Sequence, residues 1–454
     1  MKLLRAATLD MGLLYAGKVS AVLVGFVFLP FYRHLLGPEQ FGIVAVILSL
    51  QSLLIMLDLG MSTLVGRDIA VADASAQELT SLVRTAELSL TGLYSLLLPF
   101  AIGLKAVGAF PGLEWTTIIG TIALFWVLVL QNMYYGAMLA RRQYAVASTI
   151  QVLGVAARAC ATAYVLATVS STMSAFIVTQ LVFATAQALV TRHYCFKYWT
   201  AGSTGTSLLA IPKLRDAWEL IKKGRSLVLF SAAGAAVTQL DKPLVSGLIS
   251  ANSLSPYFLA TTVCMVPLSL LGGPVSQYFQ PRVLNQTIAG TDFPKSTIQK
   301  FVLCTILITS LPCLVFWLAR DPLISLWVGH GHDNGIISHY VKILLPGFVV
   351  GAFGYVPYTL LLYAKDFRFQ AVASIAMSIA TLTLTALAAY WQSVDSVCYI
   401  YAAYHTMSTL ISWTRAFTLE RVRDAARYSA ALTLQLVVPL VVVAILAQFL
   451  IPNT

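Results

Sequence analysis

Five charged residues lie deep inside long apolar stretches of the sequence: Lys18, Asp58, Arg158, Asp241 and Lys242. A charged side chain at the centre of a membrane span costs about 2.5–3.5 kcal/mol on insertion scales, so it normally faces a partner or a watery cavity. The fork of an Arg side chain suits two-point contact with a phosphate or carboxylate group, and Lys supplies a mobile point charge. These residue types therefore predict contacts to an anion.

Lys18 and Asp58 come from neighbouring apolar stretches and can meet. Each lies about nine residues from the same surface, which at 1.5 Å per residue is a depth of about 13 Å. One interpretation is a mutually neutralised pair that locks two helices together. The other is that the pair lines a cavity and is exchanged for contacts to a substrate, which would make Lys18 and Asp58 gating residues.

Arg158, Asp241 and Lys242 lie near the middle of their stretches, in different halves of the chain. A charge cluster in a shared cleft would follow, in which Asp241 holds Arg158 or Lys242 when no substrate is present. The alternative is a salt bridge between the halves that makes no contact with a substrate. Pro243 directly follows the pair, and because it frees a backbone carbonyl we expect a kink there.

The elements that carry these charges are predicted to be membrane-spanning helices. Hydrophobic residues make up 58% of the chain and charged residues only 10%, whereas soluble domains carry about 25% charged residues. A span needs about 20 mostly apolar residues. Such windows predict thirteen spans, at 11–32, 41–64, 85–108, 116–138, 145–168, 172–191, 226–249, 255–278, 300–319, 337–362, 369–391, 396–414 and 431–451.

The positions of the basic residues predict the orientation. With the N-terminus inside, 22 of the 29 Lys and Arg residues fall in inside segments, as the positive-inside rule requires. Topology therefore explains the net charge of +11, and we expect membrane lipid, including anionic headgroups, rather than nucleic acid as a partner.

Two lobes are predicted from the longest polar connection, 192–225, which divides twelve spans into six and six. The predicted organisation is a lobe at 1–191, a cytoplasmic linker at 192–225, a second lobe at 226–416, and a cytoplasmic loop with an additional transmembrane helix at 417–454. When the first predicted lobe is aligned with the second at an offset of 213 residues, Pro30 corresponds to Pro243. Both lobes would start from the cytoplasm, so the repeats would run in the same direction, about an axis along the membrane normal.

Motifs for bond chemistry are missing from the sequence. It contains no GxSxG elbow, P-loop, HExxH helix or paired carboxylates for glycosyl transfer, and the largest predicted outside loop, 320–336, is too short for a catalytic domain. We therefore predict that the protein is not an enzyme and that it uses neither a cofactor nor a metal.

Three segments near the N-terminus carry a resemblance to a known family. The segments 36–42 (LGPEQFG), 57–63 (LDLGMST) and 67–70 (RDIA) resemble the N-terminal signature of the polysaccharide-transporter branch of the multidrug/oligosaccharidyl-lipid/polysaccharide (MOP) exporter superfamily, which includes the Wzx-type O-antigen flippases. The segment 239–242 (QLDK) resembles the second-lobe pattern of that family, although Pro243 and the loop at 253–257 depart from it.

The resemblance implies an all-α polytopic membrane protein with two six-helix lobes around a central cavity, plus one extra C-terminal transmembrane helix. It implies a flippase in the bacterial inner membrane that exports an undecaprenyl-pyrophosphate-linked oligosaccharide, such as an O-antigen repeat unit of lipopolysaccharide, by alternating access. Arg158 and Lys242 would contact the anion, with Lys18, Asp58 and Asp241 as gating or charge-balancing residues. A polysaccharide polymerase and a chain-length regulator would be possible partners.

Two alternatives stay open from the residues. A drug/cation antiporter of the same superfamily would favour acidic cavity residues, whereas here three basic residues accompany two acids deep in the spans. A membrane-embedded polysaccharide polymerase or ligase would be expected to carry a large outside loop with catalytic residues.

Overall fold

The protein forms two compact units, Met1–Leu240 (unit 1) and Asp241–Thr454 (unit 2). The computed structural model describes residues 2–56, 65, 69, 76–107, 114–141, 143–200, 215–219, 222, 234–288, 295–329, 331 and 333–450. Within these residues all regular structure is helical. The predicted all-α fold is confirmed.

The described residues of unit 1 form five long helices. They are α1 Lys2–Met56, α2 Ala76–Ala106, α3 Trp115–Ala140, α4 Tyr144–Thr168 and α5 Met173–Thr200, and residues 215–219 and 234–239 are also helical. Helix α3 packs against α5 and α2, while α4 packs between α1 and α5. The hydroxyl of Tyr32 on α1 donates to the carbonyl oxygen of Ala159 on α4 at 3.2 Å, which ties these two helices together.

Helix α1 consists of two segments that meet at Gly37, where φ is 78°. This left-handed backbone conformation favours glycine, which has no Cβ. Pro38 follows it as the first residue of the second segment, a position where its missing N–H is not needed. The predicted loop between the first two spans is therefore reduced to one non-helical residue.

Unit 2 is built from shorter and more interrupted helices. They are α6 Asp241–Leu248, α7 Ala251–Cys264, a π-helix Pro267–Gly272, α8 Gly273–Ile288, α9 Lys295–Leu318, α10 Arg320–Val328, α11 Asn334–Phe353, α12 Tyr355–Tyr363, α13 Phe367–Tyr390, α14 Val394–Thr418 and α15 Arg423–Leu450. Helix α11 packs against α14 and α7, α9 packs against α15, and α13 packs against α14 and α6.

The last helix, α15, belongs to the core of unit 2. Its first turn buries Ala425 and Ala426 in a cluster with Phe301 and Ile306 of α9, whereas Val441 further along is exposed. Helices α9, α11 and α15 also line an apolar cavity of about 240 Å³. The C-terminal helix is thus joined to the second unit by buried apolar contacts.

Ten helices in the described residues are long and apolar enough to span a membrane, which makes this a multi-pass membrane protein. They are Leu23–Ile55, Gln77–Gly103, Trp115–Ala140, Tyr144–Thr168, Met173–Lys197, Ala251–Gln280, Lys295–Leu318, Asn334–Tyr363, Phe367–Tyr390 and Arg423–Val443.

Three differences separate these ten spans from the thirteen predicted. The first two predicted spans form one continuous element, broken only at Gly37. The predicted seventh span is interrupted at Leu240, three residues before Pro243, where the proline leaves a carbonyl of the preceding turn without its usual donor. The predicted twelfth span, 396–414, lies within the 25-residue helix Val394–Thr418, but the many Ser, Thr and Tyr residues of this helix make it less apolar.

The predicted lobe boundaries differ from the boundary between the units. Helix α5 continues to Thr200, so the beginning of the predicted linker at 192–225 is helical. The two units divide between Leu240 and Asp241, inside the predicted seventh span. The assignment of 1–191 and 226–416 as the two lobes stays a prediction.

Candidate functional site

One face of α4 in unit 1 is polar along most of its length. Ser148, Gln151, Arg158 and Thr162 are three to seven residues apart, and a helical repeat of 3.6 residues places them on one side of the helix, together with Gly154. Thr162 is fully buried and Ser148 nearly so. A helix predicted to cross a membrane therefore carries a polar stripe that its neighbours must satisfy.

Amide side chains satisfy the first half of this stripe. The Nε2 atom of Gln131 on α3 donates to Oε1 of Gln151 at 2.8 Å, and Nε2 of Gln187 on α5 donates to the same oxygen at 3.1 Å. Gly154 permits this close approach, because a Cβ there would lie 2.3 Å from Cδ of Gln187. Oε1 of Gln187 is buried and has no hydrogen-bond partner in the described part of the chain.

Arg158 lies near the middle of α4, two turns beyond Gln151. The residue is half-buried, but its Nη1 atom is buried and has no hydrogen-bond partner among the described residues. Its neighbours are hydroxyl groups: Thr162 donates to the Arg158 carbonyl oxygen at 2.8 Å, and Tyr32 lies close enough for an electrostatic interaction. In the described residues no carboxylate forms an ion pair with this guanidinium.

Asp241 and Lys242 form a buried ion pair at the start of α6 in unit 2. Asp241 is 0% exposed and Lys242 7% exposed. Nζ of Lys242 lies 2.9 Å from Oδ1 of Asp241, and the hydroxyl of Tyr257 on α7 donates to Oδ2 at 2.7 Å. Helix α7 is fixed by Ser250, whose hydroxyl oxygen accepts from the backbone N–H of Ser253 at its first turn.

Helix α14 supplies the other polar groups around this pair. Cys398 and Tyr401 interact electrostatically with Asp241, and His405 interacts with Lys242. The ring of His405 lies 4.1 Å from that of Phe348 on α11, and a Cβ at Gly351 would lie 3.1 Å from the histidine. The pair is therefore surrounded by aromatic and weakly polar side chains that are packed closely.

The structure places the predicted site residues in three different situations. Asp241 and Lys242 are brought together. Arg158 belongs to the other unit, so its predicted interaction with Asp241 stays a prediction. Asp58 lies outside the described residues and Lys18 is described only as part of α1, so their pairing also stays a prediction.

A further polar cluster was not predicted from the sequence. Glu87 on α2 accepts from the hydroxyl of Tyr134 on α3 at 2.7 Å and from Nε and Nη2 of Arg192 on α5 at 2.9 and 3.3 Å. Arg192 is the first residue of the segment 192–225, which the sequence predicted to be a cytoplasmic linker. The signal in the sequence was Glu87 itself, an acidic residue within a predicted span.

Glu114 joins α3 and α5 at their N-terminal ends, outside the spans. It accepts hydrogen bonds from the hydroxyl groups of Ser174 and, at 3.1 Å, Thr116. These bonds, the one from Ser174 first, lower the pKa of the Glu114 carboxyl below its usual value because they favour the ionised form. In unit 2 the ring of His339 on α11 and the carboxylate of Asp395 on α14 meet at 3.2 Å.

Comparison with solved structures identifies the fold. The chain is similar to the lipid II flippase MurJ in an inward closed conformation, with a TM-score of 0.68 and 12% identity over 94% of this chain and 92% of that one. It is similar to an inward-facing multidrug resistance MATE family transporter of the MOP superfamily, with a TM-score of 0.65 and 14% identity over 91% and 95% of the two chains. A MOP superfamily transporter from Pyrococcus furiosus, described by a reverse polarity of its binding pocket, matches with a TM-score of 0.55 and 13% identity over 93% and 96%.

Comparison of sequences identifies the family. No curated protein matches the chain. Residues 9–283, more than half of the chain, match the family model described as "Polysaccharide biosynthesis protein". This chain therefore belongs to the polysaccharide biosynthesis protein family and has the fold of the MOP superfamily transporters.

Proposed function

We propose that this protein is a flippase that carries an undecaprenyl-pyrophosphate-linked oligosaccharide from the cytoplasmic to the outer leaflet of the bacterial inner membrane. The oligosaccharide would be the repeat unit of O-antigen or of another surface polysaccharide. The N-terminus lies in the cytoplasm, and the protein works by alternating access. The observation that carries the proposal is Arg158, a cation in the middle of a span whose Nη1 atom is buried without a partner among the described residues.

An unpartnered donor on a charged group is costly in a span. Insertion of Arg at a helix centre costs about 2.5–3.5 kcal/mol, and a buried donor without an acceptor adds about 1–3 kcal/mol. Both costs are offset when a ligand supplies the acceptor. The planar guanidinium matches two phosphate oxygens, so a pyrophosphate group would satisfy Arg158 in the substrate-bound state.

The surroundings of Arg158 suit the glycan of the same substrate. Oε1 of Gln187 is a buried acceptor with no partner in the described part of the chain. It belongs to the amide network two turns of α4 away, at a distance of about 10 Å along the helix axis. Sugar hydroxyl groups can donate to such an acceptor and accept from amide N–H groups.

The transport reaction breaks no covalent bond. The isoprenoid tail stays in lipid. Sugars and phosphate lose their hydrogen bonds to water when they enter the membrane, and the protein lowers this cost by forming hydrogen bonds to them instead. The family assignment supports a role in polysaccharide biosynthesis. MurJ, which is described as acting on lipid II, supports a lipid-linked substrate. A polymerase and a chain-length regulator are proposed as partners that use the exported unit.

Transport in proteoliposomes tests the proposal. A lipid-linked oligosaccharide is reconstituted with the purified protein, and a membrane-impermeant lectin measures how fast the glycan becomes accessible. Because one charge-assisted contact is worth about 1.5–3 kcal/mol, Arg158→Gln should slow transport about tenfold to a hundredfold.

A matched control is available on the surface of unit 1. Arg215→Gln removes a guanidinium whose side chain is 86% exposed, and it should leave transport unchanged. Equal transport by Arg158→Gln and the wild type would contradict the role of Arg158. Newly formed glycosidic bonds in the vesicles would favour a polymerase, and exchange of a drug cation for protons would favour an antiporter.

A further inference from the structure

The turn between α12 and α13 lies against the turn between α14 and α15 at one end of unit 2. Nε of Arg415, near the end of α14, lies 2.6 Å from Oδ2 of Asp366, which directly precedes α13. The guanidinium of Arg421, directly before α15, lies 4.9 Å from the centre of the ring of Tyr363 at the end of α12. These two contacts join the four helix ends into one surface.

The two turns carry an excess of positive charge, and we call residues 363–368 and 415–427 together the basic end of unit 2. They contain six basic and three acidic residues, which gives a net charge of +3. Lys365, Arg368 and Arg421 are exposed. No carboxylate of the described residues forms an ion pair with any of these three side chains. Their charge is therefore available to an anion from outside the chain.

The surface of α13 that continues from the basic end faces hydrocarbon. Val372, Ile375 and Ile379, which we call the apolar stripe, are exposed. They follow Arg368 at intervals of three or four residues, which places all four side chains on one side of the helix. Tyr390 is exposed at the other end of α13, about 33 Å from Arg368 at 1.5 Å per residue. This length matches a hydrocarbon core about 30 Å thick, so Arg368 lies at the depth of the lipid headgroups.

Exposed aromatic residues at both ends of the spans agree with this depth. Tyr428, in the second turn of α15, is exposed close to the basic end, and Tyr390 and Trp391 are exposed at the far end of α13. Tyr and Trp are enriched at both membrane interfaces. The two helices that begin at the basic end, Phe367–Tyr390 and Arg423–Val443, are each long and apolar enough to span a membrane.

We propose that the basic end of unit 2 binds the phosphate group of an anionic glycerophospholipid whose acyl chain lies along the apolar stripe. Such a lipid supplies both parts of the surface, since its phosphate oxygens meet Lys365, Arg368 and Arg421 and its hydrocarbon covers the stripe. A free phosphate ion would meet the cations alone. The inference does not depend on the transported substrate. In the proposed orientation, with the N-terminus in the cytoplasm, this lipid belongs to the cytoplasmic leaflet.

Native mass spectrometry of the full-length protein in detergent tests the inference. The probes are phosphatidylglycerol and phosphatidylcholine with the same acyl chains, so the two lipids differ in the headgroup and its net charge. We expect the wild type to bind phosphatidylglycerol more tightly. Each Lys or Arg near an anionic headgroup contributes about fivefold in affinity. The triple variant Lys365→Gln, Arg368→Gln, Arg421→Gln should therefore bind phosphatidylglycerol about a hundredfold more weakly, with phosphatidylcholine unaffected.

Two control variants separate this site from charge in general. The triple variant Lys365→Arg, Arg368→Lys, Arg421→Lys keeps the three charges and should keep the preference. Lys342→Gln removes an exposed cation of α11 that lies away from the basic end. Phe353 of the same helix belongs to the buried cluster that contains Ala416 and Val422, so Lys342 lies about 16 Å farther along α11. Lys342→Gln should bind both lipids as the wild type does.

Three results would overturn the inference. They are equal binding of the two lipids by the wild type, an undiminished preference in the triple Gln variant, and an equal loss of preference in Lys342→Gln. Displacement of phosphatidylglycerol by equimolar inorganic pyrophosphate would also overturn it, since the site would then recognise a soluble phosphate. If the triple Gln variant does not fold, Arg368→Gln alone should lose about fivefold in affinity, and an unchanged affinity overturns the site. The flippase proposal is decided separately, by transport of the wild type in vesicles of phosphatidylcholine alone.

Discussion

The two units surround their buried cations in opposite ways. In unit 1, Arg158 lies near the hydroxyl-bearing side chains of Tyr32 and Thr162, and no carboxylate pairs with it in the described residues. In unit 2, Lys242 is paired with Asp241, which also accepts from Tyr257. Unit 1 therefore holds a cation whose Nη1 atom has no partner among the described residues, whereas unit 2 holds a cation in a buried ion pair.

Removal of the carboxylate in unit 2 should have the largest effect on stability. Asp241→Leu leaves Lys242 buried without its carboxylate partner, and loss of one member of a buried pair costs about 3–5 kcal/mol. The free energy of unfolding, measured by denaturant titration in micelles, should fall by this amount. The double variant Asp241→Leu with Lys242→Met should recover most of it, and an equally unstable double variant would show that the charge balance is unimportant.

Substitution of glycines at the helix crossings should have the second largest effect on stability. Unit 2 should tolerate such a substitution less well than unit 1. A Cβ at Gly347 on α11 would lie 2.5 Å from Cα of Ala402 on α14, whereas a Cβ at Gly154 would meet the side chain of Gln187 at 2.3 Å. Overpacking costs about 1–3 kcal/mol, and backbone yields less than a side chain. Gly347→Ala should therefore destabilise more than Gly154→Ala in the same unfolding assay.

The matched control for these glycines is Gly103 on α2, where a Cβ would meet nothing within 4 Å. Gly103→Ala should leave the unfolding transition in place. A loss as large as that of Gly347→Ala would show that the packing at the crossings does not explain the effect.

Removal of the cation in unit 1 should stabilise the protein, in contrast to the loss expected in unit 2. Arg158→Met keeps a long side chain and removes a buried donor that has no described partner, so the free energy of unfolding should rise by about 1 kcal/mol. Loss of stability instead would mean that Arg158 is held by an acceptor of the protein itself, and the contrast between the units would fail.

The smallest effect on stability is expected from the loss of the hydrogen bonds at Glu114, which join α3 and α5. The folded-state pKa of this carboxyl is lowered, so its contribution to stability is complete at neutral pH and is lost as the pH falls below the usual value of 4.5. Ser174→Ala removes the main donor and should move the pKa of Glu114 up towards 4.5, as measured by carbon-13 NMR of the labelled carboxyl. An unchanged pKa would show that Ser174 does not bind Glu114 in solution.

The lengths of the apolar runs in the sequence correctly predict the positions of most of the helices. The predicted spans 116–138 and 145–168 correspond to Trp115–Ala140 and Tyr144–Thr168, because burial in lipid needs a run of apolar residues whatever the tertiary packing. Breaks in the helices were harder to place. The predicted loop after the first span became one left-handed residue at Gly37, since Pro38 can begin the next helix immediately.

Contacts between distant residues were the part that the sequence could not supply. Asp241 and Lys242 were found because they are neighbours in the chain, but Tyr257 gave no signal of its own. Glu87 and Arg192 are 105 positions apart, and only the packing of α2 against α3 and α5 brings them together. A pattern of residue types identifies a charge that needs a partner, whereas the identity of that partner depends on tertiary structure.

The burial of the first turn of α15 bears on how the protein can be handled. Ala425 and Ala426 fill space against α9, so a chain ended after Thr418 would leave Phe301 and Ile306 facing a void. Ending the chain after the twelfth predicted span would then remove part of the buried core of unit 2. Fluorescent or affinity tags are better attached beyond the end of this helix than in the loop before Arg423.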